Sequence, residues 1–232
     1  MKYPLTWKGK NNVEMGLKII SLPPIQTGTE RNEKIEILER DGTLTQLNGY
    51  TSDEKSVEAD YRGNNPVKLA EWLTREGNVI FGNQEDRYFK ARINNVVPIS
   101  MVLENQLYNF PIKFECQPHA YLFEGDDLLE IDNNSVLYNS RSTYKSLPII
   151  TIYGTGKCVL TVNNKVFRIT NIPNGYITID SEIEECYDNP DNNIGEYFES
   201  TSFPVLEVGE NNISWTGEGI TKVEILPKWR AL

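Results

Sequence analysis

Cysteine and histidine are scarce in this chain: three Cys (Cys116, Cys158, Cys186) and a single His (His119) in 232 residues. The cysteines are odd in number, widely spaced and form no C-x-x-C pair, which excludes a disulfide framework and the paired ligand sets of structural zinc. They are expected to be small core hydrophobes in a reducing compartment. Basic residues are also in the minority, 23 Lys and Arg against 33 Asp and Glu, for a net charge of -10. Gripping a phosphate backbone requires clustered cations that displace counterions, so nucleic acid is not expected as a stably bound partner. Long apolar runs are missing too. The longest nearly apolar stretch, residues 96–103, holds Pro98 and Ser100 and falls far short of the roughly 20 residues that cross a bilayer, so no membrane is expected. Met1-Lys2-Tyr3-Pro4 has no apolar segment behind it and is not expected to act as a signal peptide. The sequence carries no internal repeat and no low-complexity linker.

What is present is enough apolar and aromatic side chain, with 4 Trp, 12 Tyr and 8 Phe, to fill the cores of two ordinary domains. Strand patterns dominate. Residues 17–22, 35–38 and 56–61 read as strands, the last because Val57, Ala59 and Tyr61 alternate with charged neighbours. A turn is expected at Asp41-Gly42. One helix is signalled. Asn65 caps it, Pro66 occupies its first turn, Leu69, Trp72 and Leu73 form one apolar stripe, and Gly77 is placed to end it. Residues 78–81, 87–93, 99–103 and 110–116 follow as closely spaced strands, which read as antiparallel hairpins. A domain boundary is expected where Gly125-Asp126-Asp127 interrupts the aromatic run Tyr121-Leu122-Phe123, giving units of residues 1–125 and 126–232.

In the second half, residues 147–153, 158–162, 166–169, 176–180, 213–215 and 223–225 read as short strands with turn signals between them, among them Asn163-Asn164 and Pro173-Asn174-Gly175. That spacing predicts a β-sandwich or jelly roll. The acidic, Asn-rich residues 184–196 read as a surface loop.

Reactive chemistry is hard to assemble from these residues. A hydrolytic triad needs a base beside a nucleophile, and His119 stands three residues from Cys116, an awkward spacing in an extended chain. Asp126-Asp127 and Glu184-Glu185 are adjacent and would point to opposite faces of a strand, so they are expected to be solvated charges rather than a glycosidase pair. Gly154-Thr155-Gly156-Lys157 lacks the remaining spacing of a phosphate loop. Residues 188–193 are rich in oxygen donors but lack the alternating ligands of an EF-hand loop, and turn chemistry accounts for them. No catalytic residue, cofactor or metal is expected. Tyr176, Trp215 and Trp229 are the candidates for stacking on sugar rings if the sandwich binds carbohydrate.

Several short motifs keep a familiar order. Arg87-Tyr88-Phe89-Lys90-Ala91-Arg92, then Ile179-Asp180-Ser181-Glu182 running into Cys186-Tyr187-Asp188, then residues 208–217 with Val223-Glu224-Ile225 and Pro227-Lys228-Trp229-Arg230, resemble the distal tail (Dit) proteins of phages with long, non-contractile tails. The resemblance implies a mainly β protein: an N-terminal α+β belt domain with one helix that builds a six-membered ring, and a C-terminal galectin-like sandwich. It implies a structural hub at the virion's tail tip, made in the bacterial host cytoplasm, from a phage or prophage. The partners it implies are further copies of the chain, the tail tube protein, the tail-tip protein and, in many phages, receptor-binding proteins. DNA would pass the ring without binding, and an acidic bore would assist that passage.

Ring building requires one surface to dock on a different surface of the next copy, and β-hairpins with open edges suit that task. Residues 87–103 are the expected projecting hairpin, with Arg87, Tyr88, Phe89 and Arg92 at the subunit interface. The alternative reading is a carbohydrate-binding module that recognises host-surface polysaccharide.

Overall fold

A computed structural model of the chain describes residues 4–36, 38, 41–63, 65–94 and 108–232. The chain divides into two compact units, Met1–Ala120 with Leu232, and Tyr121–Ala231. The division falls a few residues ahead of Gly125-Asp126. Leu122 already packs in the second core, and its N–H donates to the Trp229 carbonyl at 2.9 Å.

The first unit contains β1 (Leu5–Trp7), β2 (Lys10–Asn11), β3 (Leu17–Ser21), β4 (Glu30–Glu36), β5 (Thr43–Tyr50), β6 (Asp53–Tyr61), α1 (Pro66–Trp72), β7 (Glu76–Phe81), β8 (Arg87–Ile93) and β9 (Tyr108–Leu122). Its main sheet runs β2-β1-β7-β8-β9-β6-β3. Alternation decides which face is buried. Val57, Ala59 and Tyr61 of β6 lie on the same side as Phe110, Ile112 and Phe114 of β9, because Val57 pairs with Ile112 and Ala59 with Phe110. The expected strand at 99–103, and with it half of the hairpin expected over 87–103, lies outside the described residues.

The helix begins as its sequence dictates: Asn65 Oδ1 accepts from the Lys68 N–H at 3.0 Å, and Pro66 fills the first position. It ends earlier than Gly77. Leu73 closes the last turn by donating to the Leu69 carbonyl at 2.9 Å, and Arg75, at φ 62°, turns the chain into β7. Gly77 is instead a packing position inside β7, where a Cβ would approach Lys8 Cγ to 2.6 Å. The apolar stripe is anchored by a reciprocal pair: Trp7 Nε1 donates to the Trp72 carbonyl (2.9 Å) and Trp72 Nε1 to the Trp7 carbonyl (3.0 Å).

The second unit contains β10 (Leu129–Ile131), β11 (Ser135–Asn139), β12 (Ile149–Gly154), β13 (Cys158–Val162), β14 (Lys165–Ile169), β15 (Tyr176–Asp180), β16 (Glu185–Asn189), β17 (Asn192–Asn193), β18 (Phe198–Glu199), β19 (Gly209–Thr216), β20 (Ile220–Leu226) and β21 (Arg230–Ala231). Two antiparallel sheets, β10-β20-β12-β15-β16-β17 and β11-β19-β13-β14-β18, bury one core between them. Ile150, Ile152, Ile177, Ile179, Val223 and Ile225 supply one wall of that core, and Leu160, Val162, Phe167, Ile169 and Ile213 the other. This is the predicted β-sandwich. The acidic segment 184–196 is not a plain loop, since β16 and β17 pair within it. Cys186 and Asp188 alternate inward there, and Asp188 is tolerated because Asn189 Nδ2 (3.0 Å), Asn192 Nδ2 (2.7 Å) and Asn174 Nδ2 all donate to its carboxylate.

Asn211 is a fully buried amide that ties β19 to the turn before it. Its Nδ2 donates to the carbonyls of Glu207 (2.9 Å) and Gly209 (3.2 Å), and its Oδ1 accepts from the Glu207 N–H (2.7 Å) and Asn163 Nδ2 (3.0 Å). Truncating it removes four hydrogen bonds to part-buried or exposed partners, each worth about 0.5–1.5 kcal/mol net. Asn211→Ala is therefore expected to destabilise the second unit by about 3 kcal/mol, measured as a lower urea midpoint with an unchanged slope.

Candidate assembly surfaces

The described strand pair that belongs to neither main sheet of its neighbourhood is β4–β5, which forms a two-stranded sheet alone. All of β4 is exposed, as is β5 up to its last two residues. Ile35 lies opposite Leu44 on one face, and Leu47 opposite Asn32 on the other; all three apolar side chains are exposed. Cross-strand polar bonds hold the ribbon's shape: Arg31 donates to the Asn48 carbonyl from Nε (3.2 Å) and Nη2 (2.7 Å), and Asn48 Nδ2 to Glu33 Oε2 (3.1 Å). At the base, the Thr51 N–H donates to the Thr29 carbonyl (2.9 Å) and Thr29 Oγ1 to Asp53 Oδ1 (3.0 Å). A two-stranded ribbon is marginal on its own in water, and its open edges present N–H and C=O groups that another chain can pair with.

The four residues expected at a subunit interface are placed differently from one another. Tyr88 and Phe89 point to opposite faces of β8 and are both buried; Phe89 packs in the first core, its ring 5.8 Å from that of Phe81. Lys55 Nζ sits 5.1 Å over the Phe89 ring, which lets an ammonium stem line the inner face. Arg87 is half-buried and pairs with Asp86 at 2.9 Å. Arg92 alone is well exposed; it pairs with Glu76 across the β7–β8 ladder, and that carboxylate holds its guanidinium above the ordinary value.

The three candidates for sugar stacking are likewise not brought together. Trp229 is buried in the second core and offers no free ring face. Trp215 is partly buried against the same core, on β19. Tyr176 lies on the other sheet, half-exposed, its ring 5.8 Å from that of Tyr153 across the β12–β15 pair. Tyr153 went unnoticed in the sequence because only the register shows that it stands beside Tyr176. Its hydroxyl donates to Glu224 Oε2 at 2.8 Å, and Lys222 Nζ lies 4.5 Å over its ring.

All three cysteines are free and buried. Burial pushes the thiols of Cys116 and Cys186 up to about 12 and that of Cys158 up to about 11, which keeps them protonated and inert. The His119 ring is packed edge-on against Tyr50, at 5.7 Å. Among the described residues no group of three or more His, Cys, Asp or Glu converges as a metal site would require.

Along nearly its whole length the chain is similar to the crystal structure of Dit from phage SPP1, described as a paradigm of the hub adsorption apparatus in phages that infect Gram-positive bacteria. That likeness has a TM-score of 0.71 at 13% identity and covers 99% of each chain. The chain is also similar to the phage P2 baseplate in its activated conformation, with calcium (TM-score 0.52, 8% identity, 96% of this chain and 93% of the other) and with strontium (0.50, 8%, 93% and 91%). No protein-family model and no curated protein sequence matches the chain. The resemblance carried by its short motifs is thus met in the fold.

Proposed function

We propose that this chain is a distal tail hub subunit of a phage or prophage with a long non-contractile tail, and that its copies close into a ring, six in number as the Dit resemblance implies. The observation that carries the reading is the likeness to SPP1 Dit over 99% of both chains. The exposed β4–β5 ribbon supports it, because a strand pair with open edges and uncovered Ile35, Leu44 and Leu47 gains most by lying against another copy. In this reading the protein works by assembly in the virion tail tip and has no catalytic step. The first unit forms the ring, the second is the galectin-like sandwich, and the tail tube, tail-tip and receptor-binding proteins are the partners. The net charge of -10 suits a bore that DNA crosses without adhering.

Native mass measurement of the purified chain over rising concentration tests this. A closed oligomer with a hole visible by negative-stain microscopy is the expected result; a monomer that persists at the highest concentration removes the reading. The half-exposed Tyr153–Tyr176 pair favours a second reading, polysaccharide recognition by the sandwich. Titrating wall polysaccharide onto the monomer while following tyrosine fluorescence separates the two.

A further inference from the structure

The strongest unassigned feature of the first unit is a cleft of about 550 Å³ lined by Lys8, Arg75, Glu76, Arg92 and Ile93. Three cations meet one acid there, on a chain whose balance is acidic. The one acid, Glu76, is engaged by Arg92. Lys8 donates to the Thr74 carbonyl and stands 5.3 Å over the Trp7 ring; neither it nor Arg75 has a carboxylate partner among the described residues. Burial and the neighbouring Arg75 guanidinium lower the Lys8 ammonium below its ordinary value, the response of a cation that lacks a counterion.

The backbone holds this arrangement at a cost. Lys8 (φ 49°) and Arg75 (φ 62°) both occupy the left-handed region that favours glycine, and both are fixed there by main-chain bonds. The Lys8 N–H donates to the Asn78 carbonyl (3.1 Å), and the Arg75 carbonyl accepts from the Ile93 N–H (3.2 Å). Lys8 takes this φ because Lys8 and Gly9 (φ 73°) are the two-residue turn that joins β1 to β2, with Trp7 opposite Lys10, and such a turn needs positive φ at both positions.

The far end of the β4–β5 ribbon has the opposite composition. Leu38 is 93% exposed, and the segment from Glu36 to Asp41 carries three acids and one arginine. Glu36 and Asp41 complement the Lys8 and Arg75 cations of the cleft, and Leu38's exposure means that the tip is not seated in its own chain's cleft.

We infer that the ribbon tip of one copy, through Glu36, Leu38 and Asp41, docks in the Lys8–Arg75 cleft of the next copy. This rests on the ring reading above, of which it specifies the contact. The contact is heterologous, joining two different patches, and so propagates around a ring.

Charge reversal tests it. A cleft variant carries Lys8→Asp and Arg75→Asp, aspartate being chosen because it tolerates left-handed backbone. A tip variant carries Glu36→Lys and Asp41→Lys. Each alone is expected to associate at least about tenfold more weakly than the unaltered chain, since like charges then face one another. Mixed in equal amounts, the two restore assembly: the acidic cleft receives the basic tip, and the unchanged cleft receives the unchanged tip, so an alternating ring of even number closes. Raising salt from about 0.1 M to about 1 M shortens screening from roughly 10 to 3 Å and is expected to weaken the unaltered assembly.

An unaltered chain that assembles while both variants assemble equally well, or folded variants whose mixture does not recover, overturns this contact and leaves the ring reading standing. An unaltered chain that never assembles overturns the ring reading itself. Melting temperature verifies folding; if the cleft variant melts early, Arg75→Asn alone serves the same comparison, and the tip variant alters only exposed ribbon.

Discussion

Replacing residues 31–49 with a short Asn-Gly turn is expected to convert the assembling chain into a monomer while leaving it folded. Among the described residues the segment contributes none to either hydrophobic core, so its removal exposes no core side chain that the structure describes. Glu30 still opposes Tyr50, and a type I′ turn fits that spacing. Far-UV circular dichroism and melting temperature should therefore stay close to those of the full chain. Association should not survive, because the open edges and the exposed Ile35, Leu38, Leu44 and Leu47 are lost together. Removing the centre of an interface commonly costs 2 kcal/mol or more, about a thirtyfold loss of affinity, and here the whole element is gone. Sedimentation velocity reads the result directly. A deletion variant that still forms the closed oligomer would show that the ribbon is a passenger, and a variant that unfolds would show that it belongs to the first core.

Period-two alternation made much of this fold legible. Val57, Ala59 and Tyr61 announced the inner face of β6, and residues 158–162 and 176–180 are strands with the bounds read from their pattern. The Asn65-Pro66 start of α1 was equally plain, since its cap chemistry is local. What failed to show was everything decided at a distance. Alternation says which side chains share a face and not what covers that face. Tyr88 and Phe89 therefore read as a projecting edge, although both sides of β8 are covered. Trp229 read as a candidate platform, yet it is sealed in the second core. The β4–β5 ribbon has too few apolar residues to signal an inner face, and its independence from the main sheet is visible only in the pairing. β16 was hidden by acid and asparagine, because its inward Asp188 is made acceptable by the amide of Asn174, from the turn before β15, together with those of Asn189 and Asn192 close by.

The lesson extends to the site. Arg92 was singled out in the sequence as an interface residue, but the cleft beside it depends on Lys8 and Arg75, which are 67 positions apart by their numbers and meet only because β1 pairs with β7. Neither carries a motif. What fixes them is the backbone: Lys8 sits in the two-residue β1–β2 turn and Arg75 between α1 and β7, two of the six non-glycine residues with positive φ among the described residues.

Trp7→Ala is expected to unfold the first unit selectively. Trp7 has no exposed surface, meets Phe114 edge-on with ring centroids 5.3 Å apart, and holds α1 to β1 through its exchange of indole bonds with Trp72. Truncating a buried tryptophan costs about 3–5 kcal/mol in lost burial and cavity, and the Trp72 carbonyl, left without its donor, adds about 1 kcal/mol or more. A total of about 5 kcal/mol approaches the whole stability of many domains. The second unit has its own core with no residue in common with the first, so its transition should hold its position while the other moves down or disappears. Tryptophan fluorescence separates the two, since Trp7 and Trp72 report on one core and Trp215 and Trp229 on the other. Trp7→Phe supplies the control: it keeps an aromatic ring against Phe114 and loses the indole donor, at an expected cost of about 1–3 kcal/mol. If Trp7→Ala shifted both transitions equally, the two cores would be one cooperative body, and the division at Ala120 would have no thermodynamic meaning.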